Sequence, residues 1–190
     1  EMALTLAEAY AEFGDTVAGK LGGADAKDSH AEAMNILMEL VRVHPQWGEA
    51  RYLLGRTHGA MASLERDLGN PAEAQRRQTL AVQALAELAK LDPKNIRYLR
   101  EFARQKGQHA QLLCDTGKAR EAIPVAEEAI AALESAMKDE AALDVLDRKA
   151  GGVLLAQLYV ILGRSGDAAK NSKLAKASFD KATAQWEKVK

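Results

Sequence analysis

Four histidines, one cysteine and a few adjacent carboxylates are the residues of this 190-residue chain with the means for chemistry. A helical zinc site needs two histidines one turn apart, often in an HExxH context. His30, His44, His58 and His109 are far apart and none has that spacing, so they are read as surface or packing histidines. Cys114, the single cysteine, can form no intrachain disulfide and no cysteine zinc cluster. A nucleophilic thiol also needs a partner base, and His109, five residues earlier, falls on another face of a helix. Cys114 is therefore expected to be inert and partly buried. The acid pairs Glu127–Glu128 and Asp139–Glu140 have the composition of a glycosidase dyad, but neighbours on a helix point to different faces, so they read as solvated charge. Gly22–Gly23 and Gly151–Gly152 lack the strand–loop–helix context and the Lys-Ser/Thr of a phosphate loop. Gly151–Gly152 suits close packing or a kink inside a helix. No nucleophile, base and orienting group come together, and the expectation is a chain that is not an enzyme and takes no metal or cofactor.

Alanine and leucine supply most of the 47% hydrophobic fraction, with only three Phe, two Trp and four Tyr. Strong helix formers dominate, and the four prolines, Pro45, Pro71, Pro93 and Pro124, are the main punctuation. This profile predicts an all-α protein whose helices approach through small residues. The net charge of −1 divides into −6 over residues 1–50, +5 over 51–106, −4 over 107–150 and +4 over 151–190. That alternation is not the sustained basic stripe of a nucleic-acid binder; it suits a solvated helical array, with polar self-association as a further use. No apolar window is long enough to span a membrane, and no basic-then-apolar leader opens the sequence. A piece of a longer polypeptide is the expectation, with the cytoplasm the favoured compartment.

Three segments align: LGNPAEA at 68–74, TGKAREA at 116–122 and LGRSGDA at 162–168. Each reads Gly, three residues, an acid, then Ala: Gly69/Glu73/Ala74, Gly117/Glu121/Ala122 and Gly163/Asp167/Ala168. A looser copy lies at Glu32–Ala33, giving acid-to-acid spacings of 41, 48 and 46 residues. A Gly just past a helix end supplies a left-handed cap, and an acid in the next helix's first turn suits its positive end. Small residues recur 12 before and 7 after each Ala: Ala62/Ala74/Ala81, Ala110/Ala122/Ala129 and Ala156/Ala168/Ala175. Helices are expected near 3–19, 29–43, 47–67, 71–91, 95–115, 118–137, 142–162 and 166–188, with LGGADAKD at 21–28 a loop. Pro45 and Pro93 end two of them. The last helix keeps an apolar stripe, Ala175, Phe179, Ala182 and Trp186, with lysines elsewhere, as a terminal repeat should.

On these small-residue triplets the chain resembles the tetratricopeptide repeat family, whose Gly/Ala, Tyr, Gly, Ala, Ala signature has this spacing. The fourth unit matches most fully, with Leu155, Ala156, Tyr159, Gly163, Ala168 and Ala175 in register; the second and third have Glu65 and Leu113 at the place of Tyr159. The units also exceed the usual 34 residues. Segments such as LDPKNIRYLREFA, TGKAREAIPVAEEAIAALES and KASFDKATAQWEKVK further resemble the repeat tails of some bacterial serine/threonine protein kinases, although no kinase motif occurs in this chain. The resemblance implies a single TPR-like α-solenoid domain over 1–190, made of about four antiparallel helical hairpins at 1–45, 46–93, 94–140 and 141–190.

The resemblance also implies that the first helix of each unit lines a concave face. Projected onto that face are Arg56, Ser63 and Arg66 in the second unit, Arg100, Arg104 and Gln111 in the third, and Gln157 in the fourth. Guanidinium forks match carboxylates, so the implied partner is a protein or peptide, acidic in character. The competing reading pairs these arginines with neighbouring acids such as Glu65 and Glu101. An alternative role is self-association of a larger signalling protein such as a kinase, favoured if terminal residues such as Trp186 are exposed.

Overall fold

A computed structural model describes residues 1–18, 23–138 and 143–189. Gly22, the pair Asp139–Glu140 and the unit boundary expected at 140/141 lie outside the described residues. Eight helices, and no strand, occur among those described: α1 (Met2–Ala18), α2 (Gly23–Val43), α3 (Gly48–Asp67), α4 (Pro71–Leu91), α5 (Ile96–Asp115), α6 (Ala119–Ala136), α7 (Val145–Ala168) and α8 (Ser172–Val189). The all-α expectation holds, and adjacent helices pack closely.

The chain divides into two compact units, Glu1–Leu88 and Ala89–Lys190, so that the division falls within the last turn of α4. In the first unit α1 packs on α2, α2 on α3, and α1 also touches α3. Val17, Ala26, Met34, Met61 and Leu64 form a core there, with Leu54 packed against it. In the second unit α5 packs on α6, α6 on α7 and α7 on α8, and α5 also meets α7. Its core joins Ala103, Ala110, Ala122, Ala126 and Ala129 to Leu133, Leu154, Leu155, Leu158 and Leu162.

Three helix-to-helix turns share one backbone pattern. After α3, Gly69 N–H donates to Arg66 O and Asn70 N–H to Glu65 O. After α5, Gly117 donates to Cys114 O and Lys118 to Leu113 O. After α7, Lys170 donates to Asp167 O and Asn171 to Gly166 O. The left-handed residue is Gly69 (φ 79°), Gly117 (φ 81°) and Lys170 (φ 62°) respectively. These are Schellman-type caps, and they fix the repeat's phase.

That phase corrects the sequence reading at both ends. Counting five residues from each cap gives Ala74, Ala122 and Ala175, not Ala168, which is exposed on the last turn of α7. The small-residue triplets are Gly14/Ala26/Ala33, Ala62/Ala74/Ala81, Ala110/Ala122/Ala129 and Gly163/Ala175/Ala182, all buried. Gly163 does not end a helix; it lies inside α7, where an added Cβ would come 2.7 Å from the Phe179 ring. Asp167 likewise closes α7 rather than opening α8. In the first unit the true acid–Ala pair is Asp25–Ala26, not Glu32–Ala33; Asp25, Glu73 and Glu121 each stand in the first turn of a second helix. Successive units are thus 48, 48 and 53 residues apart.

A second column, Ala7, Gly55, Ala103 and Ala156, is also buried. Thirty residues on from each stand Leu37, Leu85, Leu133 and Trp186, and a Cβ on Gly55 would sit 2.6 Å from Leu85 Cγ. Two further differences concern helix ends. Residues 23–28, expected as loop, belong to α2, because Ala26 is fully buried in the core and packing overrides the Gly-rich start. α7 has 24 residues against 20 for α5, and its added turn is N-terminal, after Asp144 accepts the Asp147 N–H at 2.7 Å. Gly151–Gly152 pack closely, as expected: a Cβ on either would overlap Met137 or Val189.

The cap register has a direct test. Lys170 holds a conformation that costs an L-residue about 1 kcal/mol, so Lys170→Gly should raise stability by roughly 0.5–1 kcal/mol. Gly117→Ala should lower it by about 1 kcal/mol. Urea midpoints decide; a destabilised Lys170→Gly would place the turn elsewhere.

Candidate functional site

The side chains projected onto the first helices fall into two groups, one per unit. In the first, Arg56 and Arg66 are exposed and Ser63 is half-buried along α3. Arg56 lies 3.7 Å from Asp15 of α1, with its guanidinium carbon 5.9 Å from the Tyr52 ring centre. Asp15 also approaches Nε2 of His30, at 3.4 Å, so one carboxylate links α1 to α2 and α3. Arg66 pairs with its neighbour Asp67 at 3.2 Å. Glu65, one of the acids set against these arginines, instead takes Lys27 of α2 at 2.6 Å and Asn70 at 2.9 Å.

In the second unit Arg100, Arg104 and Gln111 stand at i, i+4 and i+11 on α5, one face of a helix. Arg100 Nη1 donates to Asp147 Oδ1 of α7 at 2.5 Å, with both side chains largely shielded from solvent. Farther along, Gln111 donates to Asp115 at 2.5 Å and accepts from Arg164 of α7 at 3.0 Å. Arg164 also lies 3.9 Å from Asp115. Two polar clasps therefore join α5 to α7. Between them the helices meet at Gly107, where a Cβ would overlap Leu158. Arg104, 52% exposed, has a loose ion pair with Glu101 at 3.6 Å, and Gln157 on α7 is exposed.

The structure therefore brings Arg100, Arg104 and Gln111 onto one helix face and sets Arg100 and Gln111 against α7. It gives Arg100 an internal partner that sequence did not suggest. Arg164 and Asp147 were missed. Arg164 was within reach, being seven residues beyond Gln157 on the same face; Asp147 was not, because it belongs to the turn that only α7 has. Of the expected local pairings, Arg104–Glu101 is present.

Cys114 is half-buried against the second unit's core. Burial lowers the His30 pKa, and Asp15 partly opposes this. Burial, and secondarily Lys106, lowers that of His109. Glu127 and Glu134 border a cleft of about 240 Å³ over Tyr159, where the phenol donates to Glu134 at 2.5 Å. Burial, then this carboxylate, pushes the Tyr159 pKa up. No cluster of three or more potential metal ligands occurs among the described residues, and no helix among them is long and apolar enough to cross a membrane.

No protein-family model matches the chain, and no curated protein sequence matches it. Among solved structures, the crystal structure of BtubC (BKLC) from P. vanneervenii is similar, with a TM-score of 0.53 and 16% sequence identity. The match covers 97% of this chain and 81% of that one. At this identity the likeness is one of fold.

His58 gives the site's surroundings a readable pH dependence. Burial first, then the charges of Arg77 and Arg76, lower its pKa from 6.5 to about 4. Between those values the unfolded chain holds a proton that the folded chain does not, so stability falls as pH falls. By pH 5 the loss should be about 2 kcal/mol. Glu73, held at about 2 mainly by the Arg76 hydrogen bond, acts in a lower window. Urea unfolding at pH 7 and pH 5 should show His58→Gln losing roughly 2 kcal/mol less than the parent; equal losses would place the proton uptake elsewhere.

Proposed function

We propose that this chain is a non-catalytic protein-binding domain, a tetratricopeptide-like α-solenoid whose first helices present a polar face to an acidic peptide. The observation that carries the reading is the fourfold recurrence of the same buried small-residue columns, from Ala7/Gly14 to Ala156/Gly163. A repeat of that kind stacks hairpins and yields extended surfaces rather than one catalytic pocket. The contacts of α1 with α3 and of α5 with α7 support it, because they align the polar stripes of consecutive first helices within each unit.

On α5 and α7 the clasps Arg100–Asp147 and Gln111–Arg164 hold the platform, and Arg104 and Gln157 are the side chains best placed to meet a ligand. Arg100 contributes positive field while anchoring α7, and Gln111 has hydrogen-bonding capacity beyond its two partners. Arg56, Ser63 and Arg66 form the corresponding stripe on α3. Recognition of this sort is passive: a preorganised surface, charge-assisted hydrogen bonds and no bond made or broken.

A second reading, self-association of a larger signalling protein such as a serine/threonine kinase, is favoured by Phe179 and Trp186, each 40% exposed on α8. Light scattering over a wide concentration range separates the two, since a self-association module gains mass and loses it on Trp186→Ser.

The primary reading is tested by fluorescence anisotropy with a labelled Asp/Glu-rich peptide ending in a free carboxylate. Arg104→Glu combined with Gln157→Glu should weaken binding at least about tenfold, or roughly 1.4 kcal/mol, with helicity by circular dichroism unchanged. Binding by the parent should also weaken with salt. Affinity untouched by the double substitution would remove this face from the assignment.

A further inference from the structure

One place in the repeat is filled in the first unit and open in the second. In the first unit it lies between α2 and α4, beside His58 of α3. Arg77 of α4 reaches across it: Nε donates to Glu73 Oε1 at 2.7 Å, and Nη1 meets Met34 Sδ of α2 at 3.4 Å. The Arg77 side chain is 18% exposed, and its charge helps to lower the His58 pKa. An arginine stem and guanidinium thus bridge two second helices, held by a carboxylate from the same helix.

The unit spacings of 48, 48 and 53 residues carry this place to the cleft between α6 and α8. Met34 corresponds to Ile130, His58 to Tyr159 and Met61 to Leu162, and all three counterparts line that cleft. The group that fills it does not recur. Arg77 corresponds to Ser178 and Glu73 to Leu174. Ser178 is buried, and its hydroxyl donates back to Leu174 O of its own helix at 2.8 Å. About 240 Å³ is left open. Charge on the opposite wall changes too. Where α2 has Ala31 and Met38, α6 has Glu127 and Glu134, and both carboxylates border the cleft. The second unit therefore lacks the internal guanidinium and carries, on the facing helix, the groups that bind one.

Size and lining narrow the occupant. The cleft is smaller than the roughly 300–1,000 Å³ of a drug-sized site and suits a single side chain. Ile130, Leu162 and Leu174 match an alkyl stem, and the face of the Tyr159 ring attracts a cation. Lys181 of α8 displays that attraction, with Nζ 5.2 Å from the ring centre. Glu134 accepts the Tyr159 hydroxyl through Oε1, and a carboxylate has further acceptor sites. We propose that the cleft between α6 and α8 receives an arginine side chain from a partner polypeptide, its guanidinium taking the place that Arg77 holds in the first unit. The stem lies on the apolar residues and the fork meets Glu127 and Glu134. Lys181 is exposed on a long stem, so its ammonium yields to the incoming group at little cost. This cleft uses neither Arg104 nor Gln157 and does not rest on the acidic-peptide reading.

The test uses the whole chain, isotope-labelled for amide resonances, and two short peptides blocked at both ends. They differ only in a central arginine or its neutral isostere citrulline. The arginine peptide should shift amides around Glu127, Glu134 and Ser178 saturably, and the citrulline peptide should bind roughly tenfold more weakly. Glu127→Gln with Glu134→Gln should weaken the arginine peptide by a similar factor. Both positions are exposed and glutamine still accepts the Tyr159 hydroxyl, so helicity should persist. Leu174→Glu with Ser178→Arg rebuilds the Glu73–Arg77 arrangement and should close the cleft to the peptide. Lys181→Met should tighten binding by removing a competing ammonium, and Arg104→Glu should leave it unchanged. No saturable shifts, shifts that map away from the cleft, or equal binding of the two peptides overturns the proposal.

Discussion

The structure depends on how closely the two helices of each hairpin can approach. Ideal interaxial distances of 8–10 Å depend on the side chains at the contact, and here those are Ala and Gly in fixed columns. Ala7, Gly55, Ala103 and Ala156 make one column and Gly14, Ala62, Ala110 and Gly163 the next, one heptad on. Opposite them stand Ala26, Ala74, Ala122 and Ala175, then Ala33, Ala81, Ala129 and Ala182. Close approach along these columns lets Leu85 pack across onto Gly55, and Leu37, Leu85 and Leu133 are all fully buried. The Schellman turns at Gly69, Gly117 and Lys170 stand five residues before the Ala column, so turn geometry sets which residues meet.

Much of this was legible because both periodicities are written in residue type. The number of helices, the turns at Gly69 and Gly117, and the offsets of 12 and 7 between small residues all follow from composition and spacing. The phase of the first and last hairpins did not. Both readings slipped by seven residues, one forward to Ala33 and one back to Ala168. The reason is physical: seven residues are nearly two helical turns, so a slip of seven lands on the same face and meets another small residue. What breaks the degeneracy is the turn, and the last turn has Lys170 where a glycine would have announced it. Gly163 misled because it serves packing, against Phe179, rather than a turn.

The candidate site was legible as a face but not as a set of partners. Periodicity can place Arg100, Arg104 and Gln111 together on α5, and local spacing suggests Arg104–Glu101. It cannot foresee that an added turn at the start of α7 carries Asp147 to Arg100, or that Arg164 reaches Gln111. These are tertiary pairs between helices whose residues lie 47 and 53 positions apart. Their effect is to divide one stripe into anchoring and accessible residues, a distinction invisible from residue type. The column Tyr10, His58, Lys106 and Tyr159 makes the same point. One repeat position holds an exposed phenol, a buried neutral imidazole, a shielded ammonium beside Glu128, and a phenol bonded to Glu134.

That column also explains why the first and last helices differ in character. At a repeat position facing a neighbouring helix a polar group is either partnered by that neighbour, as Tyr159 is by Glu134, or kept uncharged, as His58 is with its Nδ1 unpaired. A position facing water needs no such partner and gains nothing from being large and apolar. α8 obeys this rule with Lys176, Asp180, Thr183 and Glu187, whereas α1 breaks it with Met2, Leu6 and Phe13. Isolated exposed hydrophobic residues are common on protein surfaces, but several aligned at helical spacing form a patch, and patches of that kind mark interaction surfaces. The sequence of α1 is that of a helix adapted to a neighbour.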